Sequence, residues 1–120
     1  MRAQHSGFAA GYGNEAPSFS EAVFGTYATT YTAASNSGIN ASDRLFVVGN
    51  GTSTGARKNA LTIMKDGKTG IGTDAPFGYL TVNSQGAYVN TELTSSSGIG
   101  TWLSMNNTST GGKYFNMFTT

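Results

Sequence analysis

The feature that most limits how this chain can fold is a short repeat near its start. The run "SGFAAGYGNEA" from Ser6 aligns with "SEAVFGTYATT" from Ser20, so that Ser6 falls on Ser20 and Gly11 on Gly25, a step of 14 residues. Ala9 then pairs with Val23, Ala10 with Phe24 and Ala16 with Thr30. A third, degraded copy reads from Ala34 through Asn40, with Ile39 where the glycine is expected. Fourteen residues are too few for a helix pair or a propeller blade but suffice for two short strands and two tight turns, one coil of a β-roll. Such a coil cannot bury its own face, so it must stack on the next coil or on copies of itself from other chains.

Composition points the same way. Leu, Ile, Val and Phe make up only about a sixth to a fifth of the chain, near the lower limit for a soluble domain with its own core. Disorder is not the alternative, because only 11% of the residues are charged, the net charge is +1, and Phe and Tyr are plentiful. The 17 glycines, with Ser, Thr and Asn supplying about another third, favour turns and short strands over helices. The expected class is all-β.

Several partners are disfavoured. No basic cluster exceeds Arg57-Lys58, which leaves no electrostatic footprint for nucleic acid or an anionic membrane. No apolar run approaches the length of a membrane-spanning helix, so no membrane insertion is expected, and with no signal-peptide core any export address lies outside these residues. The absence of cysteine removes disulfides and thiolate metal sites. The apolar, strand-like ending "KYFNMFTT" reads as a fragment of something longer.

In the middle, "FVVGNGTSTGARKNAL" (46–61) raises the possibility of a dinucleotide-binding turn, with a strand followed by glycines at 49, 51 and 55. The residues after Asn59 argue against it. "ALTIMKDGKTGIGT" puts Leu61 and Ile63 on one face and Thr62 and Met64 on the other, then turns at Asp66-Gly67. Alternation around Asp-Gly predicts a hairpin with a type I′ turn, φ being positive at both central residues. No room remains for the helix that a dinucleotide fold places after its glycines, and no acidic residue closes a second strand, since Asp74 sits in a Gly-Thr-Asp-Ala-Pro turn. The glycine run is therefore read as an exposed loop between two strands, and no cofactor is expected.

Four more strands are predicted in "GYLTVNS", "AYVNTELTS", "TWLSMNNTS" and "KYFNMFTT", with turns at Ser97-Gly98 and Gly111-Gly112. Their aromatics, Tyr79, Tyr88, Trp102, Tyr114, Phe115 and Phe118, fit a small core or an interface between chains. Tyr88, Trp102 and Tyr114 are the candidates for receptor contact. Catalysis and metal binding are not expected. His5 has no carboxylate or serine arranged around it, and Glu15, Glu21, Asp43, Asp66, Asp74 and Glu92 form no pair on a shared strand face, as a glycosidase dyad requires. Asp66 and Asp74 read as turn residues, and Asp43 as a local ion-pair partner of Arg44 or a cap at the boundary between roll and hairpin.

Two resemblances sharpen this reading. The pattern Ser-x-x-[Ala/Val]-x-Gly-x-x-x-x-[Ala/Thr] resembles the head repeats of trimeric autotransporter adhesins, which implies a left-handed parallel β-roll wound as a trimer. The low copy number, Pro17 and the bulky Phe8 and Phe24 depart from that family and suggest a short shaft segment instead. "DRLFVVGNG", "NALTIMKDGKTGIGT" and "APFGYLTV" resemble the repeated shaft segment of bacterial and phage-type tail-fibre proteins, with Thr-Gly-Ile-Gly-Thr-x-x-Pro-x-x-x-Leu-x-Val running from Thr69 to Val82. Such fibres are homotrimers, often ending in a cleaved endosialidase-type chaperone domain, which is not visible in these residues. Together the two likenesses cover about residues 5 to 82.

The expectation is an intertwined homotrimeric β-roll or β-prism fibre of short strands and hairpins: roll repeats over 1–42, a hairpin shaft segment over 43–82 and a strand segment over 83–120. Its expected role is structural and non-enzymatic, in an extracellular fibre on a cell surface or phage-like particle that presents a receptor-binding tip. The partners implied are further copies of the chain and a cell-surface glycan or protein receptor. The alternative is a β-module that contacts glycans directly through its aromatics.

Overall fold

The computed structural model describes residues 2–3, 6–86 and 91–119; among them every regular element is a β-strand. The chain divides into two compact units, 1–90 and 91–120. In the first, β1 (Arg2–Ala3) pairs in parallel with β3 (Glu15–Ala16). Beside them lies a six-stranded sheet in the order β2 (Phe8–Ala9), β4 (Ala22–Thr26), β5 (Arg44–Asn50), β6 (Asn59–Met64), β7 (Thr69–Ile71), β8 (Leu80–Val82). Strands from both sides of positions 42 and 43 join this one sheet.

The repeat is physical. Phe8 lies beside Ala22 and Ala9 beside Val23 in parallel register, the same 14-residue step read from the serines and glycines. Backbone conformation repeats with it: Ser6 and Ser20 have φ of 64° and 56°, and Gly11 and Gly25 have 96° and 88°. Glycine is required at the last two positions, because a Cβ at Gly11 would strike the carbonyl of Gly25, and one at Gly25 the carbonyl of Gly49.

The third coil corrects the sequence reading. Gly49, not Ile39, stands beside Gly25, and Ala22 stands beside Phe46, a step of 24. Ten extra residues loop out between the second and third coils and carry Ile39, exposed, with them. An ungapped repeat search places the glycine position inside this insertion.

The turn at Asp66-Gly67 also differs from expectation. Only Gly67 has positive φ, +91°, while Met64 accepts a hydrogen bond from the Gly67 N–H and donates its own N–H to Lys68. This is the three-residue hairpin in which glycine closes a bulge after an ordinary turn. The Asp66 carboxylate takes the Lys68 N–H at 3.0 Å and pairs with the Lys68 ammonium at 2.9 Å. After β7 the chain doubles back so that β8 lies parallel to it, Thr69 beside Leu80 and Ile71 beside Val82, which is the geometry of the Thr-Gly-Ile-Gly-Thr stretch.

One row of side chains crosses the sheet on its inner side: Ala9, Val23, Val47, Thr62, Gly70, Thr81. These are small, and with Ala16 and Ala28 they form the core, whose fully buried apolar members are Ala16, Val23, Ala28 and Val47. The two rows on the opposite side are Phe8, Ala22, Phe46, Ile63, Thr69, Leu80, and Phe24, Val48, Leu61, Ile71, Val82. The large apolar residues are therefore on the side away from the core.

The second unit is a hairpin of β9 (Thr101–Asn106) and β10 (Tyr114–Thr119), antiparallel, with Trp102 opposite Phe118 and Met105 opposite Phe115. Its turn is held by the Gly112 N–H on Ser109 and the Asn107 N–H on Lys113. Of the predicted strand "AYVNTELTS", residues 87–90 lie outside the described residues and 91–95 form no strand.

Candidate functional site

Three features bear on function: a buried polar knot, the open sheet face and the hairpin.

The knot holds the ten-residue insertion in place. Asp43, fully buried, accepts the N–H groups of Ala34 and Ser35 at 2.7 and 2.9 Å. It therefore caps the loop, whereas the ion pair of Arg44 goes to Asp74 at 3.5 Å, so Asp74 is more than a turn residue. Arg44 stacks on the Tyr31 ring at 4.3 Å and donates to the Thr29 carbonyl at 2.6 Å. Tyr31 and Ser18 donate to Glu21, and the Lys65 ammonium reaches the Ser18 hydroxyl at 2.8 Å. Burial raises the Glu21 carboxyl above its usual range despite these donors, and raises the Tyr31 phenol to about 12. Glu21 Oε1 has no hydrogen-bond partner among the described residues. Ser18, Glu21, Asp43 and Arg44 are too deeply buried for a substrate to reach, and the knot is built for holding a loop.

Two of the cavities formed by the described residues lie on this unit. One, about 580 Å³, is walled by the insertion with Glu15, Pro17, Tyr31 and Asn36; the other, about 380 Å³, is lined by Arg57, Lys58, Asp74 and Gln85 among others. Among the described residues the first is lined by one carboxylate, Glu15, and the second by one, Asp74. Among the described residues no three His, Cys, Asp or Glu side chains cluster as metal ligands, and His5 lies outside the described residues. The run 51–58 is a loop from β5 to β6, closed by the Thr52 N–H on Ala56 and the Ala56 N–H on Ser53.

The open face is the side of the six-stranded sheet away from the core. Phe8, Phe24, Ile71 and Leu80 on it are 55, 39, 46 and 67% exposed. Phe8, Phe24 and Phe46 form a ladder across three coils, with ring centroids 5.4 and 5.7 Å apart. Sequence alternation separates Leu61 and Ile63 from Thr62 correctly but carries no sign of which set faces inward.

The hairpin brings together two of the three residues expected to contact a receptor. Trp102 and Tyr114 share a face with Ser104, Asn106, Asn116 and Phe118, while Tyr88 lies outside the described residues. Trp102 stacks on Phe118 with centroids 5.0 Å apart and planes at 21°. The Ser104 hydroxyl donates to the Tyr114 oxygen at 2.9 Å, and this bond and one from Asn116 draw the phenol below its usual range. The opposite face carries Leu103, Met105, Phe115 and Met117. Phe118, Asn106 and Asn116 are missing from the set of contact residues chosen by sequence, and only the strand register joins them to it. Comparison with protein-family models, with curated proteins and with solved structures gives no match.

Proposed function

We propose that this chain is a structural segment of an extracellular homotrimeric fibre, a tail fibre or surface adhesin that holds a receptor-binding tip away from its cell or particle. The observation that carries the reading is the inversion of side-chain size across the six-stranded sheet: small residues fill the chain's own core, and Phe, Ile and Leu line the open face. In water that face is unfavourable by about 25 cal/mol for each Å² left exposed. Two further copies presenting the same face around a threefold axis cover it and close the assembly. The parallel stack of coils, extended residue by residue at fixed register, gives a rod whose strength comes from neighbour-to-neighbour contacts. Its work is mechanical: interlocked strands with covered edges resist unfolding and proteolysis. The two sequence resemblances, to adhesin head repeats and to tail-fibre shaft segments, support the same assembly.

Chemical cross-linking of the purified chain tests it. The denaturing gel is expected to show a ladder that ends at three chains, independent of protein concentration. A ladder that never passes one chain counts against the proposal.

A further inference from the structure

We propose that the Trp102 face of the hairpin is a docking platform for a neutral saccharide. A hairpin of two strands has no core, and each of its faces must meet something. The faces are chemically unequal. One carries Leu103, Met105, Phe115 and Met117, with only the terminal Thr101 and Thr119 to interrupt it, and suits burial against other copies of the hairpin. The other has a stacked aromatic pair, Trp102 on Phe118, each more than half exposed, bordered along the strands by Ser104, Asn106, Asn116 and Tyr114. An apolar protein partner would leave those hydroxyl and amide groups without hydrogen bonds, at a cost of roughly 1–3 kcal/mol for each one buried.

A sugar ring satisfies both parts. Its C–H face packs on an aromatic plane, and its hydroxyls turn outward to meet hydrogen-bonding side chains. Ser104 already donates to the Tyr114 oxygen, so the phenol's own proton is free to be donated to a ligand. Asn106, opposite Tyr114, offers both an amide donor and a carbonyl acceptor beside it. Among the six residues of this face none carries a charge at neutral pH, which favours an uncharged saccharide over a sialylated or sulfated one. The platform rests on the fibre reading in one respect only, that further copies cover the Leu103 face.

The test is an array of neutral and acidic glycans probed with the full chain, beside Trp102→Ala and Tyr114→Phe, with molar mass and circular dichroism recorded for each. Expected is binding to at least one neutral hexose-containing glycan, reduced about tenfold or more by Trp102→Ala, the loss of one good aromatic contact. Tyr114→Phe keeps the ring and removes the hydroxyl, both the donor offered to a ligand and the acceptor of the exposed Ser104 bond, so weaker binding at unchanged mass and spectrum supports the platform. Binding confined to acidic glycans, no binding at all, or binding unchanged in both variants overturns it. So does loss of assembly in Trp102→Ala, which would make this face an interface. A monomer that still binds the neutral glycan through Trp102 and Tyr114 would overturn the fibre reading and leave the platform standing.

Discussion

On β4 the smaller of two neighbours is the hidden one: Val23 is 1% exposed, and Phe24, the next residue, 39%. Val23 packs in a row with Ala9 and Val47, while the Phe24 ring lies in line with those of Phe8 and Phe46 on the other side of the sheet. Phe is among the residue types most often fully buried, and here the smaller Val takes that place.

Substitutions at this pair should separate folding from assembly. Val23→Asp places a charge in the small core and is expected to abolish the fold in any assembly state. Phe24→Glu leaves the core intact and removes about 1.5–3 kcal/mol of apolar burial from each copy, so the assembly should dissociate at concentrations where the wild type holds. Sedimentation velocity with circular dichroism distinguishes the two, and equal effects from both variants would contradict the assignment of faces.

Gly25 and Gly55 make a second contrast. Gly25→Ala forces a side chain into positive φ and against the Gly49 carbonyl, and should cost at least about 1–3 kcal/mol of stability. Gly55 sits in the β5–β6 loop with open space around it and no positive φ, so Gly55→Ala should be neutral or stabilising by about 0.4–1 kcal/mol. Denaturant unfolding of both variants measures the difference.

The capping role of Asp43 predicts a local effect. Asp43→Ala leaves the Ala34 and Ser35 N–H groups without their acceptor, a loss of about 1–3 kcal/mol concentrated in the insertion. Limited proteolysis should then cut within 31–42, well before the strands on either side are attacked.

Buried Glu21 sets an unusual pH dependence. Its carboxyl is raised in the folded chain, chiefly by burial, so the folded state holds the proton more tightly than the unfolded one. Its contribution to stability therefore improves as pH falls through the folded value toward 4.5 and is lost as pH rises. Glu21→Gln removes that dependence, and the difference in Tm between variant and wild type should grow from pH 4.5 to pH 8. At the alkaline end Tyr31, raised to about 12, adds a loss of stability between pH 10 and about 12, because the unfolded phenol gives up its proton first.

Much of the first unit was legible in the sequence, and for identifiable reasons. The 14-residue step could be read because glycines and small residues recur wherever coils stack too closely for larger ones, as at Gly11 and Gly25. The insertion before Asp43 could not, because nothing in "ASNSGIN" distinguishes a decayed coil from a loop until Gly49 is seen beside Gly25. Alternation located the faces of β6 but not their direction, since a sequence rule that puts large residues inside fails on a sheet whose buried row is Val23, Val47 and Thr62. Trp102 and Tyr114 could each be chosen as an exposed aromatic, but that they share a face depends on the length of the turn over 107–113.

The proposed trimer is tested most directly by the molar mass of the purified chain in light scattering, measured before and after a mild detergent challenge. The expected value is the mass of three 12.4 kDa chains, unchanged by the detergent. A folded particle with the mass of one chain would contradict it, because the Phe8, Phe24 and Phe46 face would then have no partner.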